Sequence, residues 1–424
     1  MLHVLNELEI KELKKKCLIH SNSFDYALIL DNNFQKNAFG LQSTEFFYAA
    51  GYHAKLETDF GNAFDQLESF IQENKGQYIF LFLSYDLKNE IEHLFSAHLD
   101  PIGFPALTAI VPKDFIRIHS SGELTYSNLD FINSIKAIVD HNFPKNPSIE
   151  VEAKVSKEDY IHTVQRIRNH IIDGDVYELN YCTEFFAKNA MINPYKTYSD
   201  LNELSPTPFS VFAHLNGKYM MGASPERFLK KVHQTLYSQP IKGTSKRSSD
   251  PNHDQLNKAF LLNSEKEKAE NLMIVDLVRN DLAKSAKTGT VKVEELYGIY
   301  SFKQVHQMIS TVSAIASDEI NISTIIRNAF PMGSMTGAPK VKAMQLIDQY
   351  EQTKRGLYSG AVGYISPEGG FDLNVVIRSL QYNAEKKYLN FEVGSAITFD
   401  SDPEEEYKEC LLKAEAMIQV LAGK

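Results

Sequence analysis

The chain has 424 residues, 43% of them hydrophobic and 23% charged, with a formal net charge of −10. That length supports one large domain or two to three smaller ones, and an acidic balance without a long Lys/Arg run argues against a nucleic-acid binder. The three cysteines, Cys17, Cys182 and Cys410, form no CxxC pair, so no disulfide framework is expected and a reducing cytoplasm fits.

No apolar h-region opens the chain, so no signal peptide is expected. The longest apolar runs, such as Tyr78 to Tyr85, have strand length and are too short to span a bilayer. Tyr26 to Leu30 and Tyr78 to Tyr85 read as strands, and Phe60 to Glu73 as an amphipathic helix. From Asp140 to Ser148 the composition turns polar, with Pro144 and Pro147, and this is the best candidate boundary. Beyond it, Lys157 to Asp173 has helical periodicity and stops before Gly174. Asn216-Gly217 reads as a two-residue hairpin between Phe209–His214 and Lys218–Met221. Further hairpins are expected at Pro367 to Gly370 and at Asn383 to Lys387, the latter joining Asn374–Leu380 to Tyr388–Val393. Helices are expected over Glu265–Leu282, Val341–Tyr350 and Pro403–Leu421. Hairpins interspersed with helices predict an α+β fold rather than a doubly wound parallel sheet.

Two helix starts carry acidic pairs. Ser264 lies three before Glu267, the spacing of a capping box, and Glu267 and Glu270 share a face. Glu406, Glu409 and Lys413 repeat the pattern near the other end of the chain. Each helix alone reads first as a solvated face with i,i+3 and i,i+4 pairs, because Glu-rich helix starts are common. If the two converge, carboxylates ~4 Å apart repel by ~4 kcal/mol at an effective dielectric near 20. Such a pocket must protonate some groups or bind a cation, and oxygen-only ligands favour a hard ion such as Mg²⁺.

Lys242 lies in Gln239-Pro240-Ile241-Lys242-Gly243-Thr244-Ser245, which reads as a tight loop after a strand-like run. It is either a solvated surface charge or an amine positioned beside an acidic site. Glu226, in Ser224-Pro225-Glu226-Arg227, is either an exposed turn charge or an acid at a strand start. Gly333 to Lys340 superficially imitates a phosphate loop, but no lysine follows the second glycine directly and no Ser/Thr follows Lys340.

Taken together the motifs resemble the chorismate-utilising enzymes, and within them the aminodeoxychorismate synthase component I branch. The matching stretches are Ser224–Arg227, Pro240–Thr244, Glu270–Asp281, Gly337–Lys340, Gly360–Tyr364, Ile377–Arg378 and Ser401–Glu409, in order along the chain. The resemblance implies two packed antiparallel β-sheets flanked by helices. It places a chorismate-binding catalytic core in residues 149–424 and an N-terminal region, interwoven or separate, in residues 1–148. It further implies Mg²⁺ held by Glu270 and Glu409, with Glu267 and Glu406 acting through water. Arg378, Lys413, Tyr364, Thr244 and Gly394 would bind substrate, and Glu226 would protonate the departing hydroxyl.

Lys242 stands where related anthranilate and isochorismate synthases usually carry alanine. The implied chemistry is attack by a neutral Lys242 on the ring, its pKa lowered by desolvation and the metal, followed by ammonia. The product would be 4-amino-4-deoxychorismate, for para-aminobenzoate and folate synthesis. No glutaminase nucleophile context surrounds the three cysteines, so ammonia is expected from a separate glutaminase subunit. Glu178 stands where glutamine is common, Gln307 where histidine is usual, and Gly394-Ser395-Ala396 where Gly-Ala-Gly is frequent. The alternatives are an anthranilate synthase component I and a catalytically silent chorismate-binding or glutaminase-docking subunit.

Overall fold

The computed structural model describes residues 4–35, 38–41, 44–139, 143–303 and 305–423. Successive side chains of a strand point to opposite faces, and here both faces are apolar. In Tyr26–Asp31, Ala27 and Ile29 enter one core while Leu28 enters a second. In Ile79–Leu83, Phe80 and Phe82 join Leu28, whereas Ile79, Leu81 and Leu83 enter a third. Strands apolar on both faces need cover on both sides, and the protein supplies it as four layers: helices, sheet, sheet, helices.

The middle core, with Leu28, Phe47, Phe80, Phe82, Val211 and Val362, lies between the two sheet layers. One outer core packs the helices Lys157–Ile172, Lys340–Tyr350 and Pro403–Leu421 on the first layer, through Val164, Ile347 and Met417. The other packs Ala63–Glu73, Glu265–Ala283 and Ile322–Ala329 on the second, through Leu67, Val275 and Ile326. Deep burial of many apolar side chains, at about 25 cal/mol per Å² removed from water, is the main stabilising term.

The two layers form one hydrogen-bonded, antiparallel series that folds over on itself. It runs from Glu178–Ala187 through Tyr388–Ile397, Ser379–Asn383, Lys218–Ser224 and Phe209–Leu215 to Tyr26–Asp31. It continues through Phe46–Thr58, Leu107–Ile118, Ile79–Leu83, Ala361–Ile365, Phe371–Asn374 and Arg227–Val232. It ends with Thr235–Gln239 and Val305–Ile315, the latter flanked by Ile241–Lys246 and Lys292–Ser301. Phe46–Thr58 and Leu107–Ile118 are long enough to serve both layers: Tyr48 and Ile116 face the first outer core, Leu56 and Ala109 the second. Their shared register shifts between Tyr52 and Ala54, beside Gly51 at φ +62°, a local bend of the kind a bulge produces. Four strands from the first 148 residues thus lie inside the series, between Phe209–Leu215 and Ala361–Ile365. The candidate boundary at Asp140 to Ser148 falls partly on residues 140–142, outside the described residues.

Most expected elements appear within a few residues, and two differ in kind. Asn374–Leu380 is not one strand: pairing breaks after Asn374 and resumes at Ser379, with Arg378 between them at φ +52°. Lys242 lies not in a loop but in the strand Ile241–Lys246, at a register shift against Val305–Ile315. Gly243, at φ +93°, supplies the left-handed residue that this bulge requires.

Candidate active site

The amine comes first. Lys242 Nζ donates to Glu178 Oε1 at 2.6 Å, with the side chains 10% and 1% exposed. Lys242 is therefore not a solvated surface charge. Burial is the strongest single influence on its pKa and pulls it down, but Glu178, Glu270 and Glu226 together outweigh it, so the net direction is up. This corrects the expectation of a lowered pKa: an ammonium sits among three carboxylates and stays charged in this state.

Glu226 is buried rather than an exposed turn charge, at 4% exposure. Its Oε1 accepts from Ser334 Oγ at 2.7 Å. Burial pushes its pKa up to about 7, against lowering by the Ser334 hydrogen bond and Lys242. It is a carboxylic acid held near the protonation midpoint at neutral pH, the condition a general acid needs. Its neighbour Arg227 donates to both oxygens of buried Asp372, at 2.8 and 3.2 Å, and so ties the Ser224–Arg227 turn to the adjacent strand.

The two acidic helix starts converge. Lys266 Nζ lies 3.8 Å from Glu270 Oε1 and 3.6 Å from Glu406 Oε1, so one ammonium bridges both helices. Ser264 Oγ caps its helix by accepting from Glu267 N–H at 3.4 Å. Burial raises the pKa of Glu270 to about 7, with Glu178 and Glu267 adding to the rise and Lys242 opposing it. Burial and then Glu409 raise both Glu267 and Glu406. Glu406 also accepts from Ser401 Oγ at 2.8 Å. Glu409 moves the other way, held down chiefly by Lys413, whose Nζ lies 2.5 Å from its Oε1.

This donor set fits a divalent ion by its chemistry. The ligands are all oxygen, burial and mutual repulsion hold three of the four carboxylates toward protonation, and half-exposed Lys266 sits among them as a stand-in cation. Among the described residues no three acidic, His or Cys groups are already drawn into a closed ligand set.

Arg378 carries the third kind of group. It adopts φ +52°, a conformation uncommon for a non-glycine residue. Among the described residues its guanidinium has no hydrogen bond or ion pair. Burial lowers its pKa, opposed by Tyr358 and Glu409. A partly buried guanidinium without a protein partner is suited to an external carboxylate. Lys413 Nζ also donates to Gly394 O at 2.8 Å, placing that strand beside Arg378 and Glu409. Gly394 has a packing role as well, because a Cβ there would lie 2.4 Å from Cys182 Sγ.

Lys242, Glu226, Glu267, Glu270, Glu406, Glu409, Lys413 and Arg378 thus form one electrostatic cluster. Two expected substrate-binding residues are not drawn into it. Tyr364 Oη bonds Thr44 Oγ1 at 2.9 Å, and its ring packs on Phe47 in the middle core. Thr244 is exposed and pairs in register with Gln307, whose buried Oε1 has no partner among the described residues. Lys340 is drawn inward: its Nζ bonds Asp281 Oδ2 at 2.5 Å and Pro331 O at 2.8 Å, which removes the phosphate-loop reading. Reasoning from sequence missed Lys266, Ser334 and the part played by Glu178. Only Lys266 left a usable signal, the i,i+4 spacing to Glu270. All three cysteines are buried and unpaired, and among the described residues no helix is long and apolar enough to cross a membrane.

A model of the chorismate binding enzymes matches residues 27–419, and the chain belongs to that family. It is 41% identical over 264 residues to the aminodeoxychorismate synthase, chloroplastic, of Arabidopsis thaliana, covering 62% of this chain and 28% of the plant protein. It is 36% identical over 270 residues to aminodeoxychorismate synthase component 1 of Escherichia coli, covering 64% and 59%. The matched segments thus span well under two thirds of these relatives. Anthranilate synthase component I of Streptococcus pneumoniae shares the fold at TM-score 0.78 and 22% identity, over 90% of this chain and 93% of that one. The menaquinone-specific isochorismate synthase of Escherichia coli superposes at TM-score 0.77 and 17% identity, over 96% and 91%.

Proposed function

We propose that this chain is an aminodeoxychorismate synthase component, converting chorismate and ammonia to 4-amino-4-deoxychorismate. The observation that carries this reading is the buried Lys242, an amine 2.6 Å from Glu178 and within the field of Glu226 and Glu270. The names of the relatives in Arabidopsis thaliana and Escherichia coli point the same way.

Arg378 and Lys413 receive the substrate carboxylates. Glu270 and Glu409 would hold Mg²⁺, with Glu267 and Glu406 behind them, and the ion would supply positive charge for a substrate carboxylate beside the acidic helices. Glu226 gives its proton to the ring hydroxyl as the C–O bond breaks, releasing water. Lys242, having lost a proton, forms a C–N bond to the ring. Ammonia then bonds at the carbon that held the hydroxyl, and the Lys242–ring bond breaks with its electron pair returning to Nζ. The enolpyruvyl group stays on the ring. A separate glutaminase partner supplies the ammonia, and the site works in the cytoplasm.

The test is purified chain with chorismate, Mg²⁺ and ammonium salt, with and without an aminodeoxychorismate lyase. Lyase-dependent para-aminobenzoate is expected, and Lys242→Ala should lose most of it. Ortho-aminobenzoate without lyase, or undiminished para-product from Lys242→Ala, would overturn the reading.

A further inference from the structure

Glu178 is the one buried carboxylate of the site to which neither metal binding nor acid catalysis gives a task. It opens the strand Glu178–Ala187 and is fully buried. Its Oε1 takes the Lys242 ammonium at 2.6 Å, while its Oε2 is buried and, among the described residues, has no hydrogen-bond partner. An unpartnered buried carboxylate oxygen is costly, and here it lies beside Lys242. The other charged groups facing Lys242 are Glu226 from the turn before Arg227–Val232, and Glu270 from the helix Glu265–Ala283. Glu226 already holds Ser334, and Glu270 faces Lys266.

We infer that Glu178 is both the proton acceptor for Lys242 and the site that receives incoming ammonia through Oε2. The inference rests on the reaction proposed above. Lys242 passes one proton to Glu178 as its nitrogen bonds to the ring, so that no free neutral amine is required, while Glu226 gives its proton to the departing hydroxyl. Ammonia, donating an N–H to Glu178 Oε2, directs its lone pair at the ring and displaces Lys242. The displaced amine recovers its proton from Glu178, and the new ring ammonium gives one proton to Glu226. Both acids return to their starting states, and the net change is chorismate plus ammonia to aminodeoxychorismate plus water. A glutamine at position 178 accepts a hydrogen bond but takes no proton.

The experiment compares wild type, Glu178→Gln and Glu178→Asp in steady-state kinetics with ammonium as nitrogen source, alongside equilibrium binding of chorismate with Mg²⁺. For Glu178→Gln we expect kcat to fall at least tenfold, within the range of general-base losses. Its KM for ammonia should rise at least fivefold, while the chorismate Kd stays within twofold. Glu178→Asp, which keeps a carboxylate but withdraws it, should fall between the two. A kcat and ammonia KM within threefold of wild type in folded Glu178→Gln would overturn the inference, as would losses confined to chorismate binding. Absence of aminodeoxychorismate from wild type would instead overturn the proposed function, so the two failures are distinct.

Discussion

Removing the Ser334 hydroxyl should make Glu226 a weaker acid. The 2.7 Å hydrogen bond from Ser334 Oγ favours the ionised form and opposes the upward push of burial that sets the Glu226 pKa at about 7. A hydrogen bond to a charged group contributes about 1.5–3 kcal/mol, and one pKa unit corresponds to about 1.4 kcal/mol. Ser334→Ala should therefore raise the Glu226 pKa by about 1–2 units. A general acid works only while protonated, so activity is present below this pKa and lost as pH rises through it. The alkaline limb of kcat/KM for chorismate, which reports the free enzyme, should move from near 7 in wild type to about 8–9 in the variant. The profile is measured at constant un-ionised ammonia, so that ammonium titration does not imitate the limb. Glu226→Gln is the control, expected to abolish the limb and lower kcat by about 10²–10⁴. A limb that stays in place in Ser334→Ala, or moves to lower pH, would refute the assignment of Glu226 as the acid.

Arg378→Lys should raise the chorismate KM at least tenfold with little change in melting temperature, since it replaces an unpartnered fork by a point charge; a KM within twofold of wild type would remove Arg378 from substrate binding. Glu270, with a folded pKa near 7 against 4.5 for the free side chain, stabilises the fold fully below pH 4.5 and loses that contribution as pH rises through 7. At pH 8, Glu270→Gln should therefore match or exceed wild type in metal-free stability by about 1–3 kcal/mol, and Mg²⁺ should no longer raise its melting temperature. A wild-type response to Mg²⁺ in this variant would count against Glu270 as a ligand. Gly394→Ala should lose about 1–3 kcal/mol through overpacking, with part recovered on adding Cys182→Ala, which removes the sulfur 2.4 Å from the new methyl position. Equal melting temperatures for the single and double variants would exclude that contact as the cause.

Helices and hairpins were legible in the sequence because their signals are local. Pro403–Leu421 begins at its proline and Asn216-Gly217 turns the chain, as periodicity and turn chemistry predict. The merging of the sheets was not legible, because it depends on two long strands, Phe46–Thr58 and Leu107–Ile118, changing layers at a bend that no turn residue pair announces. At the site, the acidic spacing on each helix was visible, but convergence is a tertiary fact, displayed by the Lys266 bridge and by the influence of Glu409 on Glu267. The sign of the Lys242 shift was misjudged for the same reason. An acidic neighbourhood and desolvation could be anticipated, whereas three carboxylates, drawn from a strand, a turn and a helix, outweighing burial could not.

Glu178 and Lys242 lie close to opposite ends of the strand series, yet their side chains touch. The groups proposed to react therefore sit on a seam where, among the described residues, the strands of Glu178 and Lys242 meet through a side-chain ion pair and not through backbone pairing with each other. The strands halfway along the series come from the first third of the chain and bear none of the groups proposed to react. A change at the Gly51 bend would reach the chemistry as an altered gap between two edges, leaving every reactive side chain in place on its own strand.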